Sequence, residues 1–311
     1  MSFSADVKNE IINSSEDTRK QKLSFVLGML CFGARLIKSD NRTKLRFTTE
    51  NPKIARRLYT IIKNEFSIMA KLTIHKTAKS IMYIVAVDDE KYIEELFYIT
   101  GLLKRGNSIE SFLNFHISSS VMENQILKKS FIKGAFLGGG SVSDPQKNNH
   151  LEFVTSHYKL SRDFQKLLNT CEFFPKIVLR KSNYVLYFKN ATEVADILVM
   201  LDTFDSLMEY HNVKIMKDMR NNINRKTNCD TANLNKTVEA SLVQVRAIEK
   251  LKRLGVFDNL PLQLKEIANL RMEYREMSLQ ELGSMLSSPI GKSGVNHRLR
   301  KLVMEAEKYK D

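Results

Sequence analysis

The sequence predicts an α+β fold made of two similar copies, followed by an all-helical domain. The segment SFVLG that ends at Gly28 recurs as SFIKG ending at Gly134, and the offset of 106 positions continues through a strand and a further helix. Within each copy, stretches that alternate apolar and polar residues lie between helical patterns, which is typical of helices on one face of an antiparallel sheet. Beyond about Met208 the strand patterns disappear.

The first copy begins with an apolar helix, and a hairpin-like region follows in which one strand alternates clearly. Asn51 and Pro52 then predict a helix start, because Asn caps helices and Pro suits the first helical position. Asp88 and Asp89 similarly precede the last helix of the copy. The other predicted segments are a helix over Leu23–Phe32, a strand over Lys44–Thr48, the capped helix to about Phe66, and strands over Lys71–His75 and Ile81–Val87.

The second copy repeats this order. Its last helix is expected to begin at Asn190, since Glu193 three residues later gives a start that resembles a capping box. The preceding segments are a helix over Phe131–Leu137, a strand over His150–Thr155, a helix over Leu160–Leu168, and strands over Lys176–Arg180 and Tyr184–Phe188.

These patterns divide the chain into four parts. Residues 1–22 form an N-terminal helical arm, and residues 23–207 form the tandem domain, with copies at about 23–105 and 129–207. Residues 208–237 are a basic, Asn-rich linker, and residues 238–311 are the helical domain. The helices expected in that last domain are Val238–Leu254, Leu262–Tyr274, Leu279–Leu286 and Val295–Lys308.

Composition narrows the class of protein. The formal net charge is +14, which favours a polyanionic partner, and double-stranded DNA is the first candidate. No apolar run is long enough to span a membrane, and the N-terminus lacks the pattern of a secretory signal. Three cysteines without CxxC spacing argue against a disulfide framework or a zinc site. A cytoplasmic, nucleoid-associated protein is therefore expected, without a membrane partner, metal or other cofactor.

Gly28 and Gly134 lie in the middle of the first helix of each copy, where glycine costs roughly 0.5–1 kcal/mol relative to alanine. The same cost at matched positions predicts close contact between the two helices across a pseudo-twofold axis. Gly33 and Gly139 follow at the helix ends, where glycine also serves as a C-terminal stop.

These paired helices resemble the two LAGLIDADG helices of monomeric homing endonucleases. The resemblance implies a pseudo-twofold domain with a DNA-shaped sheet in each copy, and one acidic metal-binding residue near the end of each motif. Those acidic positions fall on Gly33 and Gly139, and neither has a carboxylate. Asp144 lies beyond the second motif, but its counterpart is Lys38. The sequence therefore predicts a catalytically inactive domain, and a metal-dependent endonuclease is a disfavoured alternative.

Three further motifs are similar to the WhiA family of sporulation and cell-division regulators. They are GAFLGGGSVSDP at 134–145, NCDTANLNKTVEA at 228–240 and KSGVNHRLRKL at 292–302. This resemblance implies a degenerate homing-endonuclease-like domain followed by a helix-turn-helix domain, DNA binding without known catalysis, and roles in transcription, cell division and chromosome segregation. It leaves other transcription or cell-division proteins as candidate partners. A small-molecule effector stays open, and so does a role as a cell-division protein-interaction module.

The helix-turn-helix is also predicted from the residues themselves. Leu279, Leu282 and Leu286 share one face, Gly283 is small where a second helix would cross, and Ser287–Gly291 forms a turn. Ser293 is expected to cap the next helix. Ser293 and the N-terminus of that helix are expected to hold a phosphate. Asn296 is expected to contact adenine, and Arg300 guanine or a phosphate. The candidate DNA-binding residues of this helix are Lys292, Ser293, Asn296, His297, Arg298, Arg300 and Lys301.

Two alternatives accompany these basic residues. Sequences with the pattern of Lys292–Lys301 commonly form an amphipathic helix whose basic face is only exposed to water. The basic residues of the linker would either contact the DNA backbone or only keep the linker in water. They are Lys214, Lys217, Arg220, Arg225 and Lys226.

Overall fold

The computed structural model describes residues 2–14, 16–39, 42–78, 80–103, 117, 121–122 and 124–309. The chain divides into two compact units, Met1–Lys217 and Asp218–Asp311. The first unit contains the two predicted copies and the second contains the predicted helical domain, so the α+β prediction is confirmed. Residue 105, where the first copy is predicted to end, lies outside the described residues.

The N-terminal arm is a helix, α1 (Phe3–Asn13), whose Phe3, Val7 and Ile11 are buried. The first helix of copy one, α2, begins earlier than predicted, at Arg19. Thr18 and Gln21 form a capping box there, with mutual hydrogen bonds of 3.2 and 2.8 Å. Copy one contains α2 (Arg19–Gly33), β1 (Ala34–Ser39), β2 (Arg42–Thr49), α3 (Pro52–Phe66), β3 (Lys71–Lys76), β4 (Ile81–Val87) and α4 (Glu90–Ile99).

Copy two has the same order of elements. Asn190 caps its last helix and accepts a hydrogen bond from the Thr192 amide at 2.8 Å. The copy contains α5 (Gln125–Gly139), β5 (Gly140–Val142), β6 (Leu151–Thr155), α6 (Tyr158–Asn169), β7 (Lys176–Arg180), β8 (Asn183–Phe188) and α7 (Ala191–Met200).

The two sheets have matching topology. Both are antiparallel and four-stranded, with strand orders β1-β2-β4-β3 and β5-β6-β8-β7. Leu45 pairs with Val87 in the first sheet, and Leu151 pairs with Phe188 in the second. All four side chains are buried, so each sheet turns one face toward the helices and leaves the other face outward.

The segment predicted as a linker is helical. One 50-residue helix, α8 (Phe204–Arg253), includes the whole stretch and the helix expected from Val238. Asn and Thr have low helix propensity, and they obscured the pattern. The segment nevertheless contains neither Gly nor Pro, so no residue interrupts the backbone hydrogen bonds. Glu10 of α1 accepts hydrogen bonds from the Asp205 and Ser206 amides at the start of α8, at 3.0 and 2.8 Å.

The second unit continues with shorter helices around its own core. A 3-10 turn (Phe257–Asn259) precedes α9 (Leu262–Glu273), α10 (Leu279–Ser284) and α11 (Lys292–Glu307). The core includes Ile248 and Leu251 of α8, together with Ile267, Leu282 and Leu299. In the described part of the chain, no helix is both long enough and apolar enough to cross a membrane.

Candidate nucleic-acid interface

The helices α2 and α5 pack against each other at Gly28 and Gly134. A Cβ atom on Gly28 would overlap the Phe131 carbonyl oxygen and lie 2.7 Å from the Ala135 amide nitrogen. A Cβ on Gly134 would overlap the Phe25 carbonyl oxygen. Each glycine thus faces the residue three positions before the other, and the backbones approach more closely than any side chain would allow.

The positions that correspond to the acidic residues lie at the ends of these helices. A Cβ atom on Gly33 would lie 3.0 Å from the Gly138 Cα and overlap the Phe47 ring. On Gly139 it would lie 2.6 Å from the Val154 carbonyl oxygen. A carboxylate side chain at Gly139 therefore requires the backbone to move, and one at Gly33 requires the buried Phe47 ring to move. Among the described residues, no group of three or more His, Cys, Asp or Glu side chains is placed to hold a metal ion.

The outer face of the first sheet has a row of basic side chains. Strand register aligns Arg35 with Arg46, Arg46 with Ala86, and Ala86 with Lys71. Lys44 lies two residues from Arg46 and faces the same way. Lys71 pairs with Asp88 at 2.8 Å, and this pairing lowers the Asp88 pKa. The row is a surface on which a phosphate backbone can lie.

The equivalent row of the second sheet has different chemistry. It aligns Ser141 with Glu152, Glu152 with Tyr187, and Tyr187 with Lys176. Glu152 is the counterpart of Arg46 by the 106-residue offset, and its carboxylate contacts His150 Nε2 at 2.8 Å. The second sheet therefore lacks the positive row of the first.

A buried ion cluster lies beside α5. Lys133 donates hydrogen bonds to Ser14 Oγ and Asp202 Oδ2, both at 2.9 Å, and its Nζ lies 3.6 Å from Glu16 Oε1. Lys129 pairs with Asp202 at 2.6 Å. Burial opposes the charged form of Asp202, but the hydrogen bonds from the two lysines outweigh it and lower the Asp202 pKa. Burial raises the pKa of Glu16 despite the nearby Lys133. The cluster ties the end of the arm to copy two.

Two cavities lie at equivalent places in the two copies. The one beside Lys133 and Asp202 has a volume of about 430 Å³. The other, of about 480 Å³, is lined by Leu27 and Gly101 at the matching positions. The first cavity is therefore lined mostly by charged and polar residues, and the second by apolar and polar residues in similar numbers, although the backbones around them correspond.

The predicted basic residues of the linker all lie on α8. Lys214 and Lys217, in the first unit, are half-buried, whereas Arg220, Arg225 and Lys226, in the second, are exposed. At roughly 100° per residue, Arg225 lies on the side of the helix away from Ile223, while Arg220 and Lys226 lie to either side of Ile223. These three basic residues therefore do not form a single patch on α8.

The helix-turn-helix has the geometry expected from its sequence. A Cβ on Gly283 of α10 would overlap the Ile290 carbonyl oxygen, so the glycine lets the turn fold back onto α10. The Ile290 amide donates to the Gly283 carbonyl at 3.1 Å, and the Ser287 amide donates to Glu266 at 2.6 Å. This second hydrogen bond lowers the Glu266 pKa. The turn is thus held from two sides.

The helix α11 presents its basic side chains to solvent. Val295, Leu299 and Leu302 are fully buried against the rest of the unit. Asn296 and Arg298 are half-buried, and Arg298 lies close enough to Glu266 to affect its pKa. The exposed candidate residues are Lys292, Ser293, His297, Arg300 and Lys301.

The expected cap of this helix was wrong. Gly291, not Ser293, is the N-cap residue, and no side chain caps the helix. The turn places Lys292 in the helix already, so Ser293 is the second helical residue. A glycine cap leaves the first amides without a side-chain acceptor, which suits an anion at this end.

The basic row and the ion cluster were not found from the sequence. The row joins residues from strands whose pairing becomes known only with the sheet register. The cluster brings together residues near 14, 133 and 202. The sequence did contain one sign that the copies differ in charge. The 106-residue offset makes Leu27 equivalent to Lys133 and Arg46 equivalent to Glu152.

Comparison with known families matches nearly the whole chain. Residues 19–103 match the WhiA N-terminal LAGLIDADG-like domain, residues 128–220 the WhiA LAGLIDADG-like domain, and residues 223–305 the WhiA C-terminal HTH domain.

Full-length relatives and a solved structure agree with these matches. The probable cell division protein WhiA of Clostridium perfringens (strain SM101 / Type A) is 42% identical over 313 residues, covering 100% of this chain and 99% of the relative. The corresponding protein of Thermoanaerobacter pseudethanolicus is 38% identical over 317 residues, with the same coverage. The crystal structure of full-length WhiA from Thermatoga maritima is similar in fold, with a TM-score of 0.59, 24% identity and 100% coverage of both chains. This chain therefore belongs to the WhiA family, with two LAGLIDADG-like copies followed by a helix-turn-helix domain.

Proposed function

We propose that this protein is a DNA-binding transcriptional regulator that acts in cell division, chromosome segregation or sporulation. The supporting observation is α11, whose stretch Lys292–Lys301 contains four basic residues and no acid and packs through Val295 and Leu299 against the rest of the second unit. The relatives are named as probable cell division proteins, which supports the cellular role.

In the proposed complex, α11 lies in the major groove of double-stranded DNA. The open helix N-terminus and the Ser293 hydroxyl bind a phosphate. Arg300 binds guanine or a phosphate, and Asn296 contacts adenine with the exposed part of its side chain. Lys292, His297 and Lys301 lie along the DNA backbone. Arg298 contributes less, because Glu266 offsets its charge.

The first unit has an accessory role in this proposal. Arg35, Lys44 and Arg46 of the basic row support DNA through phosphate contacts, which carry no sequence information. The unit does not cleave DNA, since positions 33 and 139 are glycines and lack the two carboxylates that the metal chemistry requires. The protein acts in the cytoplasm, at the nucleoid.

The test is DNA affinity of full-length variants at physiological salt. We expect Arg300→Ala to weaken binding by about 1–3 kcal/mol, and Arg298→Ala to add a smaller loss. Lys308→Ala is the matched control, because Lys308 lies at the far end of the same helix and pairs with Glu305 at 2.7 Å. Unchanged affinity in the Arg298→Ala, Arg300→Ala double variant would show that α11 is not the DNA-binding helix.

A further inference from the structure

The middle of α8 is a helix whose side chains are all exposed. Every residue from 218 to 240 is exposed, and the stretch contains six Asn and three Thr. These residues have low helix propensity, and most helical stability in proteins comes from packing of an apolar face. More than six helical turns of this composition therefore require a partner that covers one side.

That side is defined by large apolar residues. Met219, Ile223, Leu234 and Val238 are 56%, 62%, 63% and 49% exposed, and they lie along one stripe of the helix at about 3.6 residues per turn. Thr227 and Asp230 fill the gap in the middle of the stripe. We call these six residues the α8 stripe.

The spacing of the α8 stripe reads the same in both directions. Successive members are 4, 4, 3, 4 and 4 residues apart. The stripe also repeats after 11 residues, a period that keeps it on one side of a nearly straight helix. A stripe that is symmetric about its centre can meet an identical stripe running in the opposite direction, with every apolar residue opposite another.

We propose that the α8 stripe is a dimerisation surface, and that its occupant is the same stripe of a second copy of this chain, running antiparallel. Met219 then faces Val238 of the second copy, and Ile223 faces Leu234. At the centre, each Thr227 hydroxyl donates to Asp230 of the other copy. A polar layer of this kind fixes register between helices.

Charge selects the antiparallel arrangement. A parallel pair in register would place Asp230 against Asp230, and Lys226 against Lys226, which are unfavourable like-charge contacts. The antiparallel pair instead brings Asp230 of one copy to Thr227 and near Lys226 of the other. No salt bridge among the described residues engages Lys226 or Asp230, so both are available.

The contact is short, and association is reversible. From Met219 to Val238 the stripe measures about 30 Å at 1.5 Å per residue, and only four apolar side chains from each copy are buried. The dimer presents two copies of α11, and twofold-symmetric binding proteins favour palindromic DNA sites. Self-association itself does not depend on DNA binding.

The first test is sedimentation velocity of the full-length chain, without DNA, over a concentration series. We expect the sedimentation coefficient to rise with concentration. Ile223→Lys buries a charge in the contact and should raise the midpoint concentration about tenfold or more. Asn221→Lys adds the same charge on the opposite side of α8 and should leave the midpoint unchanged. A wild-type chain that stays monomeric at every concentration, or equal effects of both variants, would overturn the proposal.

A second test examines the register by disulfide cross-linking. In a Cys171→Ser, Cys229→Ser background, one full-length chain receives Thr227→Cys and another receives Asp230→Cys. We expect the mixture to oxidise mainly to the mixed dimer, because position 227 faces position 230 of the other copy. Cross-links found mainly within each variant alone would contradict the antiparallel register.

Discussion

The two LAGLIDADG-like copies share one backbone contact but have different surroundings. Gly28 and Gly134 occupy equivalent positions, and each allows the other helix to approach in the same way. Beside this contact, copy one has Leu27 where copy two has Lys133. The pseudo-twofold axis therefore relates the backbones more closely than it relates the side chains.

The differences lie in the charged side chains of each copy. Copy two contacts the N-terminal arm through the Lys133 and Asp202 cluster, and Arg57 of copy one lies 3.6 Å from Glu16 of the same arm. Copy one has Arg46 where copy two has Glu152, which makes its sheet face positive. Glycines with no space for a Cβ are fixed by the packing of two backbones, while charges at the surface and near the arm are free to diverge. The two copies therefore share the glycine packing at the pseudo-twofold axis and differ in the charged side chains away from it.

The contact between α2 and α5 should be the site where a substitution lowers stability most. Gly134→Ala should destabilise the protein by about 3 kcal/mol, because the new methyl group meets backbone atoms that cannot rotate away. Gly28→Ala should cost a similar amount if the contact is symmetric. Urea unfolding of both variants measures this.

The control is Gly291→Ala, since a Cβ at Gly291 meets nothing within 4 Å. Only the preference of an N-cap for glycine over alanine is lost there, about 1 kcal/mol or less. The double variant Gly28→Ala, Gly134→Ala should cost less than the sum of the single variants, because both disturb one contact. A negligible cost for either single variant would show that the helices are not in close contact at that glycine.

The next effect is specific to copy two. Asp202→Asn should destabilise the protein by about 2 kcal/mol at pH 7, because the buried Lys133 loses its closest carboxylate. Asn is compatible with the positive φ of 58° at this position. Because the folded-state pKa of Asp202 is lowered, its contribution is complete above the unfolded value and disappears as pH falls through the folded value.

Urea unfolding at pH 7 and near pH 3 therefore measures a difference between wild type and variant that shrinks at the lower pH. Asp196→Asn, an exposed change on α7, is the control and should have little effect at either pH. A pH-independent cost for Asp202→Asn would show that the charge of Asp202 is not responsible.

The smallest effect concerns the sheet faces. Arg46→Glu should weaken DNA binding of the full-length protein a few-fold, and Glu152→Arg should strengthen it by a similar factor, because each changes the charge of an accessory surface. Fluorescence anisotropy with a mixed-sequence duplex measures both. If only Glu152→Arg has an effect, copy two and not copy one lies nearer the DNA.

Much of this fold could be predicted from local patterns. The strands Ile81–Val87 and Lys176–Arg180 have the predicted bounds, since alternation and turn residues define them. Asn51 caps α3 as expected. Repetition of the motif around Gly28 revealed the tandem architecture.

The remainder depended on distant contacts or on weak propensities. The Asn-rich part of α8 has no strong helical signal of its own, and the Ser293 cap was wrong because the turn after Pro289 ends one residue before Lys292. The ion cluster and the basic row join residues that are far apart in sequence. Local patterns do not encode these pairings.

DNA binding of two full-length variants, measured across a salt titration with Mg²⁺ present, shows whether the helix-turn-helix provides most of the affinity. One variant removes α11 charges (Lys292→Ala, Arg300→Ala, Lys301→Ala), and the other removes sheet charges (Arg35→Ala, Lys44→Ala, Arg46→Ala). We predict that the first loses most of the affinity and about three units of salt slope, that the second loses much less, and that supercoiled DNA stays intact. Greater loss in the sheet variant, or nicking by the wild type, would contradict a regulator that binds DNA through its helix-turn-helix.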